Sequence, residues 1–190
     1  MSKPAKKTAI EKRNLKKQDT KPSVSDLFNR VLEQGAHSGK GFDLDALAVS
    51  FNLVWVTNRL VADLESNVHR NAGISWAGFR IMLCVWVMGP LEPMTIAYLS
   101  GVTRGSVSSV LNTLERDGLI RRTRESNDRR IVTVSLTPNG KRAIKRGFNK
   151  QNVRDRQWAS VLTIKERKTL VSLLSKLTAY RPKSEFGISD

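Results

Sequence analysis

Apolar residues recur at helical spacing along most of the chain, and glycine and proline residues divide this pattern into separate helices. The first predicted helix runs from Ser23 or Ser25 to Gln34, before a break at residues 35–41. The second runs without proline or glycine from Asp43 to about Arg70. The third follows Ser75, a residue type favoured at helix N-caps, and stops before residues 89–90, Gly-Pro. Its apolar residues cover several faces, which indicates a buried helix.

Two short helices, residues 93–100 and Arg104–Asp117, are predicted next. The linker between them, residues 101–103, has the length and the glycine of a helix-turn-helix. Residues 119–124 and 131–136 then alternate apolar and polar positions and flank the polar loop Glu125–Arg130. This pattern predicts a β-hairpin.

A long basic helix is predicted from Thr137-Pro138 to about Val161, because an N-cap residue precedes a proline at the first helical position. Thr163 and Glu166 match a capping box for a last helix. Its apolar stripe consists of Leu170, Leu173, Leu174 and Leu177. The order of elements predicts a mainly α fold with a small β-hairpin wing, in which a winged helix-turn-helix core is flanked by N- and C-terminal helices.

The chain is strongly positive, and its excess positive charge is concentrated in two segments. The formal net charge of the 190 residues is +16. Residues 1–22 contain eight Lys/Arg and two acids, and residues 101–156 contain fourteen and five. Such a field predicts a polyanionic partner. Residues 1–22 also lack hydrophobic periodicity, so we expect a basic, disordered arm that attracts DNA without sequence preference or is simply solvated.

The chain lacks the residues that several classes of protein function require. The longest apolar run, residues 81–89, is shorter than the ~20 residues of a membrane-spanning helix, and the N-terminus has no apolar signal segment. The single Cys84 excludes an internal disulfide, and His37 and His69 lack metal-ligand spacing. No nucleophile elbow or phosphate loop is present. We therefore expect a cytoplasmic protein without enzymatic activity, metal or cofactor.

An Asp-x-Arg pair followed by Leu-Thr and a glycine is formed by Asp128, Arg130, Leu136, Thr137 and Gly140. This motif is the hallmark of the wing in the MarR family of transcription regulators, which the region from Leu99 to Gly140 resembles. The resemblance implies a homodimer that binds palindromic double-stranded DNA and is built from its terminal helices. It also implies a response to small aromatic acids or phenols, as in many members, and repression is the expected mode of regulation.

The resemblance and the element order together suggest four regions. They are the arm at 1–22, N-terminal dimerisation helices at 23–74, the DNA-binding lobe at 75–137, and C-terminal dimerisation helices with a tail at 138–190.

The predicted recognition helix Arg104–Asp117 has two distinct faces. Its apolar stripe of Val107, Val110, Leu111 and Leu114 has to face the core. The opposite face carries the residues expected in the major groove: Arg104, Gly105, Ser108, Ser109 and Asn112. Asparagine can pair with adenine there and serine with several bases. Thr103 and Ser106, at the helix start, complete the predicted DNA-binding set, and Ser106 is suited to a phosphate contact.

The predicted wing places Arg129 and Arg130 at a hairpin tip, where a guanidinium can enter the minor groove. The resemblance implies that Arg130 has this role and that Asp128 orients it. On the preceding strand, Arg121, Arg122 and Arg124 are expected to contact phosphates or to be solvated.

Trp55, Arg59, Trp76 and Arg80 could form an aromatic and cationic lining for an inducer. Alternatively, both tryptophans belong to the core, and the arginines pair with acids such as Asp63. Cys84 lies in an apolar helix without a basic cluster nearby in the sequence, which favours a buried inert thiol over an oxidant sensor.

Two other functions are compatible with parts of this pattern. A weakly specific architectural or RNA-binding protein would depend mainly on the basic arm. A protein-interaction module that kept the winged helix but lost DNA binding is also conceivable, although the intact wing from Asp128 to Arg130 argues against it.

The wing assignment predicts that Arg130→Ala lowers affinity for the operator about tenfold or more, because an arginine in a DNA groove contributes about 1–3 kcal/mol. Fluorescence anisotropy with a labelled duplex measures the effect, and an unchanged unfolding midpoint shows that the dimer remains folded. Unchanged affinity would contradict the assignment.

Overall fold

The fold is described from a computed structural model, which covers residues 22–37, 43–124 and 132–180. The chain forms two compact units, Met1–Arg59 and Leu60–Asp190. Helix α2 (Leu44–Leu64) begins in the first unit and ends in the second.

The first unit contains α1 (Val24–His37) and most of α2. Both helices begin at polar caps: Ser23 Oγ accepts the Asp26 N–H at 3.1 Å, and Asp43 Oδ1 accepts the Ala46 N–H at 2.9 Å. The ring of Phe28 lies 5.2 Å from that of Phe51. Helix α1 continues through the buried Gly35, beyond the predicted end at Gln34. A glycine costs a helix only about 1 kcal/mol, which packing can offset.

The second unit begins with the end of α2, a π-helical turn at Glu65–His69 and a 3-10 turn at Arg70–Ala72. The prediction of one continuous helix to about Arg70 is therefore wrong in its last turns. Gly73, with φ of +71°, closes the segment. In the π-helical turn each backbone hydrogen bond spans five residues instead of four, and no local sequence pattern predicts this change.

Helices α3 (Trp76–Met88), α4 (Pro93–Ser100) and α5 (Arg104–Arg116) follow. Strands β1 (Ile120–Arg124) and β2 (Val132–Leu136) then form an antiparallel hairpin in which Ile120 pairs with Leu136 and Arg124 with Val132. Helices α6 (Pro138–Ala159) and α7 (Ile164–Ala179) complete the unit. Ser75 and Thr137 cap α3 and α6, and Thr163 and Glu166 form the capping box of α7, so these predictions are confirmed. The predicted fold class is also confirmed.

The core of the second unit surrounds α3. Phe79, Ile81 and Met82 of this helix are at most 1% exposed. They pack with buried side chains of α4, α5, the hairpin and α6, namely Ile96, Val107, Leu111, Leu114, Ile120, Val134 and Ile144. The backbone of Leu91, between α3 and α4, exchanges two hydrogen bonds with Val134 of β2, at 2.8 and 3.1 Å. The helices and the hairpin therefore share one core.

Asp63 joins the end of α2 to α6. Its carboxylate accepts hydrogen bonds from Arg154 Nε at 2.6 Å, Arg154 Nη2 at 2.5 Å, Trp158 Nε1 at 2.7 Å and Asn67 Nδ2 at 2.8 Å. The bonds from Arg154 and Trp158 hold the pKa of Asp63 well below its usual range. The arginine that pairs with Asp63 is thus Arg154, 91 residues along the chain, rather than Arg59 or Arg80 as the sequence suggested.

The start of α6 packs directly on the turn that precedes β1. Thr137 Oγ1 donates to the Gly118 carbonyl at 2.6 Å and accepts the Gly140 N–H at 3.0 Å. A Cβ at Gly140 would lie 1.9 Å from the Leu119 carbonyl oxygen. The Thr-Pro-x-Gly sequence therefore combines a helix cap with a close backbone approach.

Helix α7 exposes its whole apolar stripe: Leu170, Leu173, Leu174 and Leu177 are 37–51% exposed. In the part of the chain that the structure describes, no single helix is long and apolar enough to cross a membrane, although a bent pair, 44–72 with 76–88, meets that test by length and composition.

The contact at Gly140 predicts that Gly140→Ala lowers the free energy of unfolding by about 1–3 kcal/mol or more, since the added methyl group would overlap a backbone oxygen. Urea unfolding followed by circular dichroism measures this change. The matched control is Gly105→Ala in α5, where the new Cβ would meet nothing within 4 Å. The control should gain about 0.5–1 kcal/mol. A Gly140→Ala variant as stable as the wild type would contradict the packing.

Candidate nucleic-acid interface

Helix α5 presents one buried and one exposed face. Val107, Leu111 and Leu114 are at most 3% exposed, and Val110 is half-buried, as the sequence predicted. The opposite face is open to solvent and comprises Arg104, Gly105, Ser108, Ser109 and Asn112. Because glycine and serine are small, a nucleic acid backbone or base edge can approach this face closely.

The start of α5 is fixed by its own cap. Thr103 Oγ1 accepts the Ser106 N–H at 3.4 Å and donates to Ser106 Oγ at 2.9 Å. Gly101, with φ of +62°, caps the end of α4, and the turn to α5 is three residues long, 101–103. A side chain at Gly101 would collide with Arg80, whose Nη2 would lie 2.6 Å from the new Cβ. Arg80 therefore touches the turn of the helix-turn-helix.

The hairpin borders the same groove as α5. A cavity of about 470 Å³ is lined by Pro93 of α4, by Ser108, Leu111, Asn112 and Glu115 of α5, by Arg122 and Arg124 of β1, and by Val132 of β2. Arg124 and Val132 are the paired ends of the two strands, and both line this cavity beside α5. Asp128, Arg129 and Arg130 lie outside the described residues, and the predicted role of the wing stays a prediction.

Arg122 has a different environment from the one that the sequence suggested. Its side chain is only 27% exposed, and its Nη1 lies 3.5 Å from the Glu115 carboxylate. Arg122 Nη1 also donates to Asn112 Oδ1 at 2.8 Å. By contrast, Arg121 and Arg124 are exposed. Sequence reasoning missed this pairing because an alternating strand pattern shows which residues share a face but not which helix covers that face.

The four residues predicted to line a ligand site belong to different units. In the first unit, the Trp55 ring stacks on Phe51 with centroids 6.0 Å apart, and Arg59 is exposed. In the second unit, the Arg80 guanidinium lies over the Trp76 ring, 5.9 Å from its centroid. Trp76 is half-buried and packs against His69, so it also serves the core.

His69 is a buried polar residue that the sequence did not single out, except as a poor metal ligand. It is 0% exposed, and its ring lies 4.3 Å from the ring of Phe79. Neither ring nitrogen has a partner in normal hydrogen-bond geometry among the residues that the structure describes, although the Gln151 amide is close enough to raise the pKa of the ring slightly against the larger effect of burial. Burial lowers the pKa of His69, which favours the neutral ring at physiological pH.

Cys84 is half-buried in α3. Burial raises the pKa of its thiol, and the charge of Arg80 offsets only part of this effect. A thiol with a raised pKa forms little thiolate, which supports the interpretation of an unreactive cysteine.

Comparisons with known proteins consistently match transcriptional regulators. The profile of the MarR family matches residues 74–132. The uncharacterized HTH-type transcriptional regulator YwaE of Bacillus subtilis is 33% identical over 138 residues, which cover 73% of this chain and 81% of YwaE.

Two solved structures share the fold. A structure of BpsR from Bordetella bronchiseptica, described as regulated in its DNA binding by 6-hydroxynicotinic acid, matches with a TM-score of 0.64 at 21% identity. The match covers 69% of this chain and 98% of BpsR. A mutant of MarR from E. coli, crystallised with operator DNA, matches with a TM-score of 0.63 at 21% identity over 70% of this chain and 95% of MarR.

Proposed function

Because this chain belongs to the MarR family of DNA-binding transcription regulators, we propose that it binds one palindromic operator and represses transcription from it. In this proposal α5 enters the major groove and the loop 125–130 enters the adjacent minor groove. The observation that carries it is the common groove lined by Ser108 and Asn112 of α5 and by Arg124 and Val132 at the ends of the hairpin. A duplex that meets the exposed face of α5 therefore also meets the hairpin.

The contacts are assigned from chemistry and exposure. Ser108, Ser109 and Asn112 would meet base edges. Arg104, Thr103 and Ser106 lie at the start of α5, where helix N–H groups and a cation suit a phosphate. Gly105 allows close approach, since nothing lies within 4 Å of its Cβ position. Asp128, Arg129 and Arg130 complete the proposed contact set through the wing.

We also propose a homodimer. One winged helix offers little surface for a specific complex, and a two-fold protein matches a palindrome. Apolar side chains remain exposed on α1 and α7, including Leu27 at 47% and Leu173 at 51%. Burial of such side chains releases about 25 cal/mol per Å² of apolar area, so a second copy would stabilise both helices.

The third part of the proposal is release by a small aromatic acid or phenol. Trp76 and Arg80 of the second unit are its proposed lining, and Trp55 and Arg59 stay predictions from the sequence. The Arg80 guanidinium lies over the Trp76 ring, which places a cation beside an aromatic surface. Arg80 also touches Gly101 of the helix-turn-helix. A carboxylate that draws Arg80 away would remove this contact and loosen the turn that positions α5. The regulation of BpsR by 6-hydroxynicotinic acid supports this chemical class.

A weakly specific architectural nucleic-acid-binding protein is the alternative, and the net charge of +16 favours it. The two functions differ in how strongly they prefer one sequence, which makes them separable by one measurement.

We expect the full chain to enrich one palindrome from random duplexes and to bind it about 10³-fold or more tightly than random DNA at physiological salt. Electrophoretic mobility shift or anisotropy titrations measure this ratio, and 6-hydroxynicotinic acid added to the complex should lower the affinity. Nearly equal affinities for all duplexes would favour the architectural alternative. If no aromatic acid changes the affinity for the operator, only the proposed release by an inducer is rejected.

Sedimentation of the protein at micromolar concentration should give a dimer, and Leu173→Glu should shift it to monomer because a charge replaces an exposed apolar side chain on α7. Ser172→Glu adds the same charge at an exposed position outside the apolar stripe and should leave the dimer intact. A wild-type monomer, or equal effects of the two substitutions, would count against this interface.

A further inference from the structure

Arg122 of β1 holds the Asn112 amide of α5 in one orientation. Arg122 Nη1 donates to Asn112 Oδ1 at 2.8 Å. A guanidinium carries only donors, so the amide atom that faces it has to be the oxygen. The amide NH₂ group is then the end of this exposed side chain that does not meet Arg122, and no described residue accepts a hydrogen bond from it. The sequence had left both ends of this amide available for contacts.

Three acceptors on α5 fix Arg122 in turn. Besides the Asn112 oxygen, Nη2 lies 3.5 Å from the Ser108 carbonyl, and Nη1 lies 3.5 Å from Glu115 Oε2. The backbone N–H of Arg122 donates to the other oxygen of Glu115 at 3.0 Å. Residues 108, 112 and 115 share one face of α5. Leaving this position would cost Arg122 several hydrogen bonds at once.

The orientation of the amide restricts which base edge Asn112 can meet. An asparagine that reads adenine in the major groove donates its NH₂ to N7 and accepts from the N6 amine with its oxygen. The oxygen of Asn112 keeps one lone pair after it accepts from Arg122, but the bond fixes its direction, so an adenine amine would have to approach it beside the guanidinium. Guanine presents only acceptors, N7 and O6, in the major groove. The free NH₂ of Asn112 suits that edge.

We propose that Arg122 is a positioning residue that restricts Asn112 to acceptor edges, so that the base pair read by Asn112 is preferred with guanine rather than adenine. This inference rests on the proposed entry of α5 into the major groove. Arg122 acts through Asn112 and touches no base itself.

Arg121 provides a matched control on the same strand. It is exposed, and its Nε donates to Ser135 Oγ at 3.1 Å instead of to α5. Arg121→Met and Arg122→Met remove the same charge and the same donors from neighbouring positions. Only the second substitution frees the Asn112 oxygen.

The first test measures base preference. Asn112→Ala identifies the base pair whose preference it abolishes, and duplexes that carry each base there are titrated with the full-length variants. We expect the wild type to favour guanine, and Arg122→Met to raise the affinity for adenine relative to guanine about tenfold. Arg121→Met should change the affinities for all duplexes alike. A wild type that favours adenine, or an Arg122→Met variant with the wild-type base profile, would overturn the inference.

The second test needs no DNA. Urea unfolding midpoints are compared for Arg122→Met, Asn112→Ala and the double variant. The double variant should shift less than the sum of the single variants, because each single change already breaks the bond. Arg121→Met combined with Asn112→Ala should be additive. Additivity for Arg122 and Asn112 would overturn this inference and leave the proposed function standing, whereas equal wild-type affinity for all duplexes would reject the proposed function itself.

Discussion

The burial of one stripe of α5 against α3 is the constraint on which the candidate interface depends. Val107, Leu111 and Leu114 are at most 3% exposed, and each such side chain contributes about 1.5–3 kcal/mol when it leaves water. A rotation of α5 about its axis would expose these residues. The small polar face with Ser108 and Asn112 is therefore fixed outward by the core, and its chemistry can vary without loss of the fold.

The hairpin and α6 are fixed to α5 by polar contacts of a different kind. Glu115 of α5 accepts the backbone N–H of Arg122, which joins the helix to β1. Thr137 caps α6 and also bonds to the Gly118 carbonyl at the exit of α5. The candidate interface consequently consists of a helix and a hairpin held together at several points. A displacement of α6 would therefore also move α5 and the hairpin.

Asp63 extends this connection to the end of α2. Its pKa is low because Arg154 and Trp158 donate to it, so the carboxylate stays charged and bonded throughout the physiological pH range. The leucines of α7 show the opposite situation, since they are apolar and 37–51% exposed. The second unit thus combines a satisfied charged cluster at the end of α2 with exposed apolar surface on α7.

The sequence alone determined the features that depend on neighbours along the chain. The helix caps at Ser75, Thr137 and Thr163 and the two faces of α5 follow from residues three or four positions apart, so periodicity and cap chemistry were sufficient. Tertiary structure decided the features that join distant segments. The Asp63–Arg154 pair, the Arg122–Asn112 bond and the approach of Gly140 to Leu119 each require elements that the core brings together. Local patterns show which side of an element is buried, but the side chain that it meets depends on packing of the whole unit.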